Sequence, residues 1–133
     1  PGRYDVIQTS PEIIVDGAHN LQAMENLLNL VRKKKKGQIY VLLGMMKDKD
    51  LGPVTKLFKD EKVTLTRIDY HRAARLEDFP KEAQKEFEYK ENFEEAYTSL
   101  KNKLQADDML LVTGSFYLVG AVLNYCKRGK DES

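Results

Sequence analysis

The chain has 133 residues, of which 41% are hydrophobic and 32% are charged, and this composition indicates one globular domain rather than a disordered or fibrous chain. Its 22 basic and 21 acidic residues leave a formal charge of +1, so no overall field favours nucleic-acid binding. No apolar run approaches the ~18 residues of a membrane span. These features predict a protein without nucleic-acid or membrane partners.

The cysteine content and the start of the chain bear on where the protein works. Cys126 is the only cysteine and no signal peptide is evident, so we expect a cytoplasmic protein. Cys126 falls in a helical apolar pattern, which predicts a small buried side chain rather than a reactive thiol. The sequence begins at Pro1 without a methionine, which suggests a piece of a longer polypeptide.

The first part of the chain alternates between strand and helix patterns. Residues 4–8 and 12–15 are short β-rich runs, and the pattern becomes helical from Asn20, with apolar residues at steps of three, four and seven. That helix ends in lysines 33–36, which are expected to complement the helix dipole in solvent, although they could also form an anion patch. A nearly continuous apolar strand follows at 38–43, the pattern of a strand covered on both faces.

The second part continues this alternation. A short helix is predicted over 51–58 and a strand over 63–68, whereas 76–85 is ambiguous, with Pro80 permitting a helix to begin there. The remaining predicted elements are a brief strand at 87–89, a helix capped by Asn92, a strand at 109–113 and a last helix from Phe116. This order predicts a single Rossmann-like α/β domain in three layers, with a mainly parallel sheet of about six strands and helices on both faces.

Three loops that follow strands, at 16–20, 113–115 and 47–50, carry unusual residues and are candidate sites, because ligands of open α/β sheets bind beyond the carboxyl ends of the strands. In DGAHN at 16–20, Asp16 could accept from ribose hydroxyls or help to hold a metal, and His19 could donate to a phosphate or carboxylate. Alternatively, both could merely cap the next helix. In TGS at 113–115, Ser115 opens a helix whose free amides suit a carboxylate or a phosphate, although any capping serine shares those properties.

Other kinds of site find less support. The chain has neither G-x-x-x-x-G-K-[ST] nor G-x-G-x-x-G, so it has no phosphate loop and cannot be a self-sufficient ATPase by that route. His19 and His71 are the only histidines, and with Cys126 they do not give the spacing of a zinc site. We therefore predict no metal held by this chain. The charged loop 47–50 either faces a substrate or is simply solvated.

Five segments of the chain, taken together, resemble one family: PGR at 1–3, IIVDGAHN at 13–20, GMMKDKD at 44–50, RA at 72–73 and LLVTGSFYLVG at 110–120. They are similar in order and type to the C-terminal domain of the folylpolyglutamate synthase and dihydrofolate synthase group of the Mur-ligase superfamily. The resemblance covers essentially the whole chain. Leu21 stands where the family usually has proline, which concerns the start of a helix rather than the chemistry, and His71 departs from a common proline before Arg72.

The resemblance implies that the parent protein is an ATP-dependent amide ligase. In such enzymes ATP with Mg²⁺ phosphorylates the carboxylate of a folate or dihydropteroate, and the amine of L-glutamate attacks the acyl phosphate, releasing ADP and phosphate. Residues 1–133 would be the glutamate-ligase domain. An N-terminal domain of the same polypeptide, absent from this chain, would hold the phosphate loop, most Mg²⁺ ligands and the pterin pocket. The isolated domain is therefore expected to be inactive, and the enzyme is expected to be a monomer.

The same resemblance implies roles for five residues. Arg3 would reach the ATP phosphates across the domain cleft, although the chain begins beside it and its loop could be untethered. Asp16 would hydrogen-bond the ribose, and His19 would be the catalytic residue beside the reacting groups and the substrate. Ser115 would help to bind the incoming glutamate. Arg72 is a further candidate for the nucleotide side.

Two other classes of function stay open at this stage. The chain could be a stand-alone Rossmann-like module that binds a nucleotide or an amino acid without catalysis. It could also bind nucleic acid through lysines 33–36, although its balanced charge argues against this. Glutamate addition to folates and ligation of dihydropteroate are not separated, because the pterin contacts would lie outside this chain.

Overall fold

The computed structural model describes residues 2–132 and contains six strands, five α-helices and a short 3₁₀ turn. Their order is β1 (Asp5–Gln8), β2 (Glu12–Asp16), α1 (Leu21–Lys34), β3 (Ile39–Leu43), α2 (Leu51–Leu57), β4 (Lys62–Arg67), the 3₁₀ turn (Leu76–Asp78), α3 (Lys81–Glu86), β5 (Glu88–Asn92), α4 (Phe93–Lys103), β6 (Met109–Thr113) and α5 (Phe116–Glu132). Pro1 of the PGR segment lies outside the described residues.

The six strands form one sheet in the order β1-β2-β6-β3-β4-β5. All neighbouring strands are parallel except β1, which pairs antiparallel with β2 at one edge. The last strand, β6, is inserted between β2 and β3, so it lies at the centre of the sheet. The predicted mainly parallel sheet is confirmed.

Helices cover both faces of this sheet and give it two apolar clusters. Because successive residues of a strand face opposite sides, Leu110 and Leu111 of β6 belong to different clusters although both are fully buried. One cluster packs the sheet against α1, α2 and α3, and the other packs it against α4 and α5. The three-layer arrangement predicted from the sequence is confirmed.

The predicted helix starts are the local features that the structure reproduces best. Asn20 accepts a hydrogen bond from the Ala23 amide at 2.9 Å, and Asn92 accepts one from the Glu95 amide at 3.0 Å. The buried residues of α1 are those of the predicted stripe, Met24, Leu27, Leu28 and Val31. Among the described residues, no helix is both long and apolar enough to cross a membrane.

Candidate functional site

The carboxyl ends of β2 and β6 define a crevice at the edge of the sheet. These strands are parallel neighbours, and their last residues, Asp16 and Thr113, lie opposite each other. The helices that follow them, α1 and α5, pack on opposite faces of the sheet. Loops that leave adjacent strands toward opposite faces open the crevice in which α/β proteins bind ligands. DGAHN and TGS are therefore the two walls of the expected ligand position.

Backbone contacts hold these two walls together. The Gly114 amide donates to the Ala18 carbonyl at 3.1 Å, and the Thr113 hydroxyl donates to the same oxygen at 3.4 Å. Gly114 has φ +117°, and a Cβ at this position would lie under 3.0 Å from the carbonyl of Gly44. Only glycine fits both the conformation and the space. The close approach of the turns thus depends on a residue without a side chain.

Asp16 organises the N-terminal wall rather than capping α1. One oxygen of its carboxylate accepts from the Tyr4 amide at 3.0 Å, and the other accepts from the Ala18 amide at 2.8 Å. Asn20 alone provides the side-chain cap of α1, so the capping role considered for Asp16 is not observed. A carboxylate has about four acceptor positions, which leaves Asp16 able to accept further hydrogen bonds from a ligand.

The segment that carries Arg3 is tethered to this wall. The Gly17 amide donates to the Gly2 carbonyl at 2.7 Å, and the Gly2 amide donates to the Asp5 carboxylate. Gly2 and Tyr4 both have positive φ values, 84° and 45°, so the backbone turns sharply on either side of Arg3. Arg3 itself is exposed. The possibility that its loop is untethered is therefore wrong for the described residues, and the guanidinium is free to meet a ligand.

His19 is held with a defined ring orientation. Its Nδ1 lies 3.1 Å from the carbonyl oxygen of Gly17, and its ring meets the ring of Phe116 edge-on at 5.8 Å. A carbonyl oxygen only accepts, so Nδ1 carries the hydrogen in this contact, and in the neutral ring Nε2 is left as an acceptor. His19 therefore offers a base at the ring nitrogen that does not bond to the backbone.

Ser115 lies at the start of α5 and is only 3% exposed. Its hydroxyl oxygen accepts from the Leu118 amide at 3.0 Å, which is the bond of a helix cap. The capping role considered for Ser115 is therefore present. The first amides of the helix, those of Phe116 and Tyr117, have no acceptor within α5 and carry the positive end of its dipole. An anion at this end would meet these amides as well as the serine.

A cleft of about 370 Å³ brings three of the predicted residues together. Arg3, Asp16 and His19 line one end, and Phe116 forms part of the wall. The other end follows α1, where the described lining residues are Asn20, Ala23, Asn26, Leu27 and Leu30. We call this the strand-edge cleft. The α1 side was not predicted from the sequence, although the half-exposed Leu30 falls outside the buried stripe of the helix.

Arg72 is not among the residues that line the strand-edge cleft. Its guanidinium donates to the Asp48 carboxylate at 3.0 Å, and its carbonyl accepts from the Lys47 amide at 2.8 Å. The hydrogen bond that the Arg72 guanidinium donates to Asp48 raises the pKa of Arg72 above its usual range. Arg72 thus joins the loop after β3 to the loop after β4, a contact between residues 24 positions apart. The loop 47–50 is partly engaged in this contact rather than only solvated.

Two exposed aromatic residues at the start of α5 also border the crevice. Phe116 is 44% exposed and Tyr117 is 52% exposed, and Tyr117 stacks on Tyr70 with ring centroids 4.9 Å apart. Phe116 contacts the DGAHN turn, whereas Tyr117 contacts the loop after β4. The sequence signal was the FY pair directly after Ser115, at the start of a helix that buries Leu118, Val119 and Val122.

The sequence predicts a small buried side chain at Cys126 and no metal ligand in this chain. The thiol of Cys126 is half-buried and donates to the hydroxyl of Tyr97 at 3.4 Å, so the residue is less buried than predicted. Burial, followed by the thiol contact, raises the pKa of the Tyr97 phenol. Within residues 2–129, whose side chains the structure describes, no three His, Cys, Asp or Glu side chains lie together as a metal site. No step of a reaction is therefore assigned to a metal held by this chain.

Comparison with known proteins places the chain in a family. Residues 2–116 match the family model described as the Mur ligase, glutamate ligase domain. The chain is 28% identical over 128 residues to the dihydrofolate synthase/folylpolyglutamate synthase of Buchnera aphidicola from Schizaphis graminum, covering 92% of this chain and 30% of that protein. It is 28% identical over 132 residues to the folylpolyglutamate synthase of Lacticaseibacillus casei, covering 98% and 31%. The chain thus spans about a third of the length of these relatives.

Solved structures show the same fold. The Escherichia coli FolC in complex with ADP, without folate substrate, superposes with a TM-score of 0.86 at 26% identity, covering 98% of this chain and 32% of that one. A second structure of that protein, with DHPP and ADP, gives a TM-score of 0.87 at the same identity and coverage. These matches confirm the resemblance predicted from the five segments, and the chain belongs to the family of Mur ligase glutamate ligase domains.

Proposed function

We propose that this chain is the C-terminal domain of an ATP-dependent amide ligase that adds L-glutamate to the carboxylate of a folate or dihydropteroate through an acyl phosphate. The relatives are synthases of this kind, and the chain spans about a third of their length. The rest of the polypeptide would supply a second domain that closes over the strand-edge cleft. A closed cleft keeps water away from an acyl phosphate, which would otherwise be hydrolysed.

Arg3 and Asp16 form the nucleotide side of the proposed site. Arg3 is exposed on a tethered turn, where its guanidinium suits the charge and geometry of a phosphate. Asp16 keeps acceptor positions for the ribose hydroxyls while its two oxygens hold the Tyr4 and Ala18 amides. The same carboxylate therefore binds the ribose and fixes the backbone that presents Arg3.

His19 is the proposed catalytic residue. Its Nδ1 hydrogen is engaged by the Gly17 carbonyl, so Nε2 is the nitrogen that can take a proton. The amine of glutamate is an ammonium ion near neutral pH and must lose a proton before or during its attack on the acyl phosphate. His19 would accept that proton, and the edge contact with Phe116 would keep its ring in place.

The start of α5 is the proposed glutamate side. The hydroxyl proton of Ser115 is not used by the cap, because the oxygen acts there as acceptor for the Leu118 amide. That proton and the free amides of the first helical turn would bind a carboxylate of glutamate. Arg72, which is paired with Asp48, would act at the nucleotide side only by positioning the loop after β3.

ATP and Mg²⁺ are expected to be bound mainly by the other domain. Related solved structures are complexes with ADP, or with AMPPNP and Mn, and these ligands are bound by those proteins. Among the described residues, Arg3 and Asp16 line the cleft in which the nucleotide would bind, and no cluster of metal-ligating side chains is present. Mg²⁺, when bound, would neutralise the phosphate charge during transfer, and this chain's own part is to bind, orient and deprotonate the substrates.

The gathering of Arg3, Asp16 and His19 in one cleft beside the start of α5 is the observation that carries this proposal. It is tested by measuring ADP release from the intact polypeptide in which this chain occurs. We expect ADP only when ATP, L-glutamate and a folate or dihydropteroate are all present. ADP release without an added acceptor would contradict the ligase. A native polypeptide that begins at this segment and binds a nucleotide or amino acid without turnover would support the binding module instead.

A further inference from the structure

A further cleft among the described residues lies far from the proposed site. It has a volume of about 650 Å³, within the usual range of small-molecule sites, and it lies between β1, α4 and α5. Lys101 is in the last turn of α4, and Gln8 ends the antiparallel strand β1, so both mark the amino-terminal edge of the parallel strands. The strand-edge cleft opens at the opposite, carboxyl edge. We call this second cavity the α4–α5 cleft.

The walls of the α4–α5 cleft combine apolar surface with charge of one sign. Ile7 and Leu123 are partly buried, and Tyr125 lies edge-on to Tyr97 at 6.2 Å. The charged residues that line it are Lys101, Lys127 and Arg128, and none of the described lining residues is acidic. The chain as a whole has almost equal numbers of acidic and basic residues. The local excess of positive charge is therefore a property of this cleft.

The three cations differ in whether they pair with an acidic side chain of the described residues. Arg128 donates to Glu94 at 2.7 Å and lies over the ring of Tyr125 at 5.8 Å. Lys101 and Lys127 form no salt bridge among residues 2–129. Two ammonium groups beside an apolar wall can each pair with an incoming anion, and they do so more strongly where a ligand excludes water.

Helix dipoles alone do not account for this arrangement. Basic residues near the carboxyl end of a helix are favourable, and this explains the lysines at the end of α1 as well. Lys33 and Lys36 occupy such positions, are exposed, and line none of the described cavities. The end of α1 therefore provides basic residues at a helix carboxyl end outside these cavities, and serves as an internal comparison.

We propose that the α4–α5 cleft is a second ligand site, which binds an organic anion: a carboxylate or phosphate joined to an apolar ring or chain. The apolar part would lie against Ile7, Leu123 and Tyr125, and the anionic group would pair with Lys101 and Lys127. The site is independent of the proposed ligase reaction, since none of its residues lines the strand-edge cleft.

The test uses 2-naphthoate as the probe, with 2-naphthamide as its neutral isostere and acetate as the small anion. Each is titrated into the ¹⁵N-labelled 133-residue chain and followed by amide chemical shifts. We expect saturable shifts confined to 97–102 and 123–129 with naphthoate, at least fivefold weaker binding of the amide, and no saturable binding of acetate. The double variant Lys101→Glu/Lys127→Glu should bind naphthoate about tenfold more weakly, whereas Lys33→Glu/Lys36→Glu should bind it like wild type.

Several results would overturn the proposal. Equal binding of the neutral amide shows that charge is not recognised, and shifts centred on residues 16–19 place the anion in the strand-edge cleft. A folded Lys101→Glu/Lys127→Glu variant with unchanged affinity, or an equal loss in the α1 control, removes the role of the two lysines. If the double variant fails to fold, the ratio between naphthoate and naphthamide in the wild-type chain decides the question.

Discussion

The ring of Phe116 lies over Gly17, so close that a Cβ on Gly17 would fall under 3.0 Å from three of the ring carbons. Gly17 also donates to Gly2 and presents its carbonyl to His19, so the glycine joins three parts of the site. The contact is made by residues from opposite walls of the crevice. The first prediction follows from this lack of space.

Gly17→Ala is expected to push the Phe116 ring out of its position. The edge-on contact between the rings of Phe116 and His19 would then be lost. Because Phe116 is 44% exposed, its ring can swing into solvent, and we expect the fold to survive with a loss of ~1–3 kcal/mol in the free energy of unfolding. Turnover of the intact ligase should fall at the same time. Chemical denaturation of the 133-residue chain measures the first effect, and ADP release measures the second.

Gly120→Ala is the matched control for this substitution. Gly120 lies inside α5, and a Cβ there would meet nothing within 4 Å. Alanine in a helix interior is favoured over glycine by roughly 0.5–1 kcal/mol, so this variant should be as stable as wild type or more stable. If Gly17→Ala behaves in the same way, Phe116 does not restrain the turn.

The isolated chain is expected to be catalytically inactive. It has no phosphate loop, and its described residues form no metal site, so it lacks the groups that would bind and activate ATP. The purified chain should release no ADP above a buffer blank when ATP, folate and glutamate are supplied. Turnover by the chain alone, after removal of contaminating ATPases, contradicts the two-domain proposal.

His19→Ala should lower turnover far more than it lowers stability. Removing a group that acts on the reacting atoms typically costs ~2–4 kcal/mol in the activation barrier, or about 30-fold to 1000-fold in kcat. His71→Ala is the control, because His71 is the other histidine, is exposed, and does not line the strand-edge cleft. Near-normal kcat in His19→Ala would leave His19 as a residue of the turn only.

The features that could be predicted from the sequence are those set by neighbours along the chain. The side chains of Asn20 and Asn92 cap helices by accepting from amides three residues further along the chain. The buried residues of α1 repeat at helical spacing. The insertion of β6 between β2 and β3 was not predicted, because a strand pattern does not reveal its partners.

The same distinction applies to the site. The DGAHN and TGS turns were expected at strand ends, but the bond between Asp16 and the Tyr4 amide joins residues 12 positions apart, and Arg72 pairs with Asp48 across 24 positions. Such contacts depend on which strands are neighbours. The role of Asp16 in holding the Arg3 segment therefore became visible only in the folded chain.

Asp108 is expected to stabilise the fold through its ionised carboxylate. The residue is only 8% exposed, and its two oxygens accept from the amides of Gln105 at 2.8 Å and Gln38 at 2.9 Å. These backbone hydrogen bonds, that of Gln105 first, lower the pKa of Asp108 below its usual value. Asp108→Asn replaces one acceptor oxygen with a donor, so we expect a loss of ~1–3 kcal/mol in the free energy of unfolding.

The lowered pKa of Asp108 also fixes the pH dependence of this effect. The unfolded chain binds the proton more readily than the folded chain, so the contribution is complete above the unfolded pKa of about 4 and is lost as pH falls through the lower folded value. The difference in stability between wild type and Asp108→Asn should therefore be constant near neutral pH and shrink in acid. Asp107→Asn, at the exposed neighbouring position, should show neither effect.

The two walls of the crevice at the carboxyl ends of β2 and β6 should respond differently to substitution. Ser115 adjoins the free amides at the start of α5, which favour an anion, whereas Asp16 is itself an anion and suits the ribose hydroxyls. In the intact ligase, Ser115→Ala should raise KM for glutamate more than KM for ATP, and Asp16→Asn should do the reverse. A lost hydrogen bond to a charged group is worth roughly 1.5–3 kcal/mol, or about tenfold or more in KM for the affected substrate.

Both substitutions also remove contacts within the chain, and these contacts require controls. Ser115→Ala deletes the cap of the Leu118 amide at a cost of ~0.5–2 kcal/mol, so Asn92→Ala, which deletes the cap of α4, measures the effect of losing a cap away from the cleft. Because KM equals a dissociation constant only when chemistry is slow, calorimetric affinities for glutamate and ATP are needed beside the kinetics. If Ser115→Ala weakens ATP and leaves glutamate unchanged, the anion at the start of α5 is a phosphate. The nucleotide would then lie along α5 rather than beside Asp16, and the assignment of the two sides would be reversed.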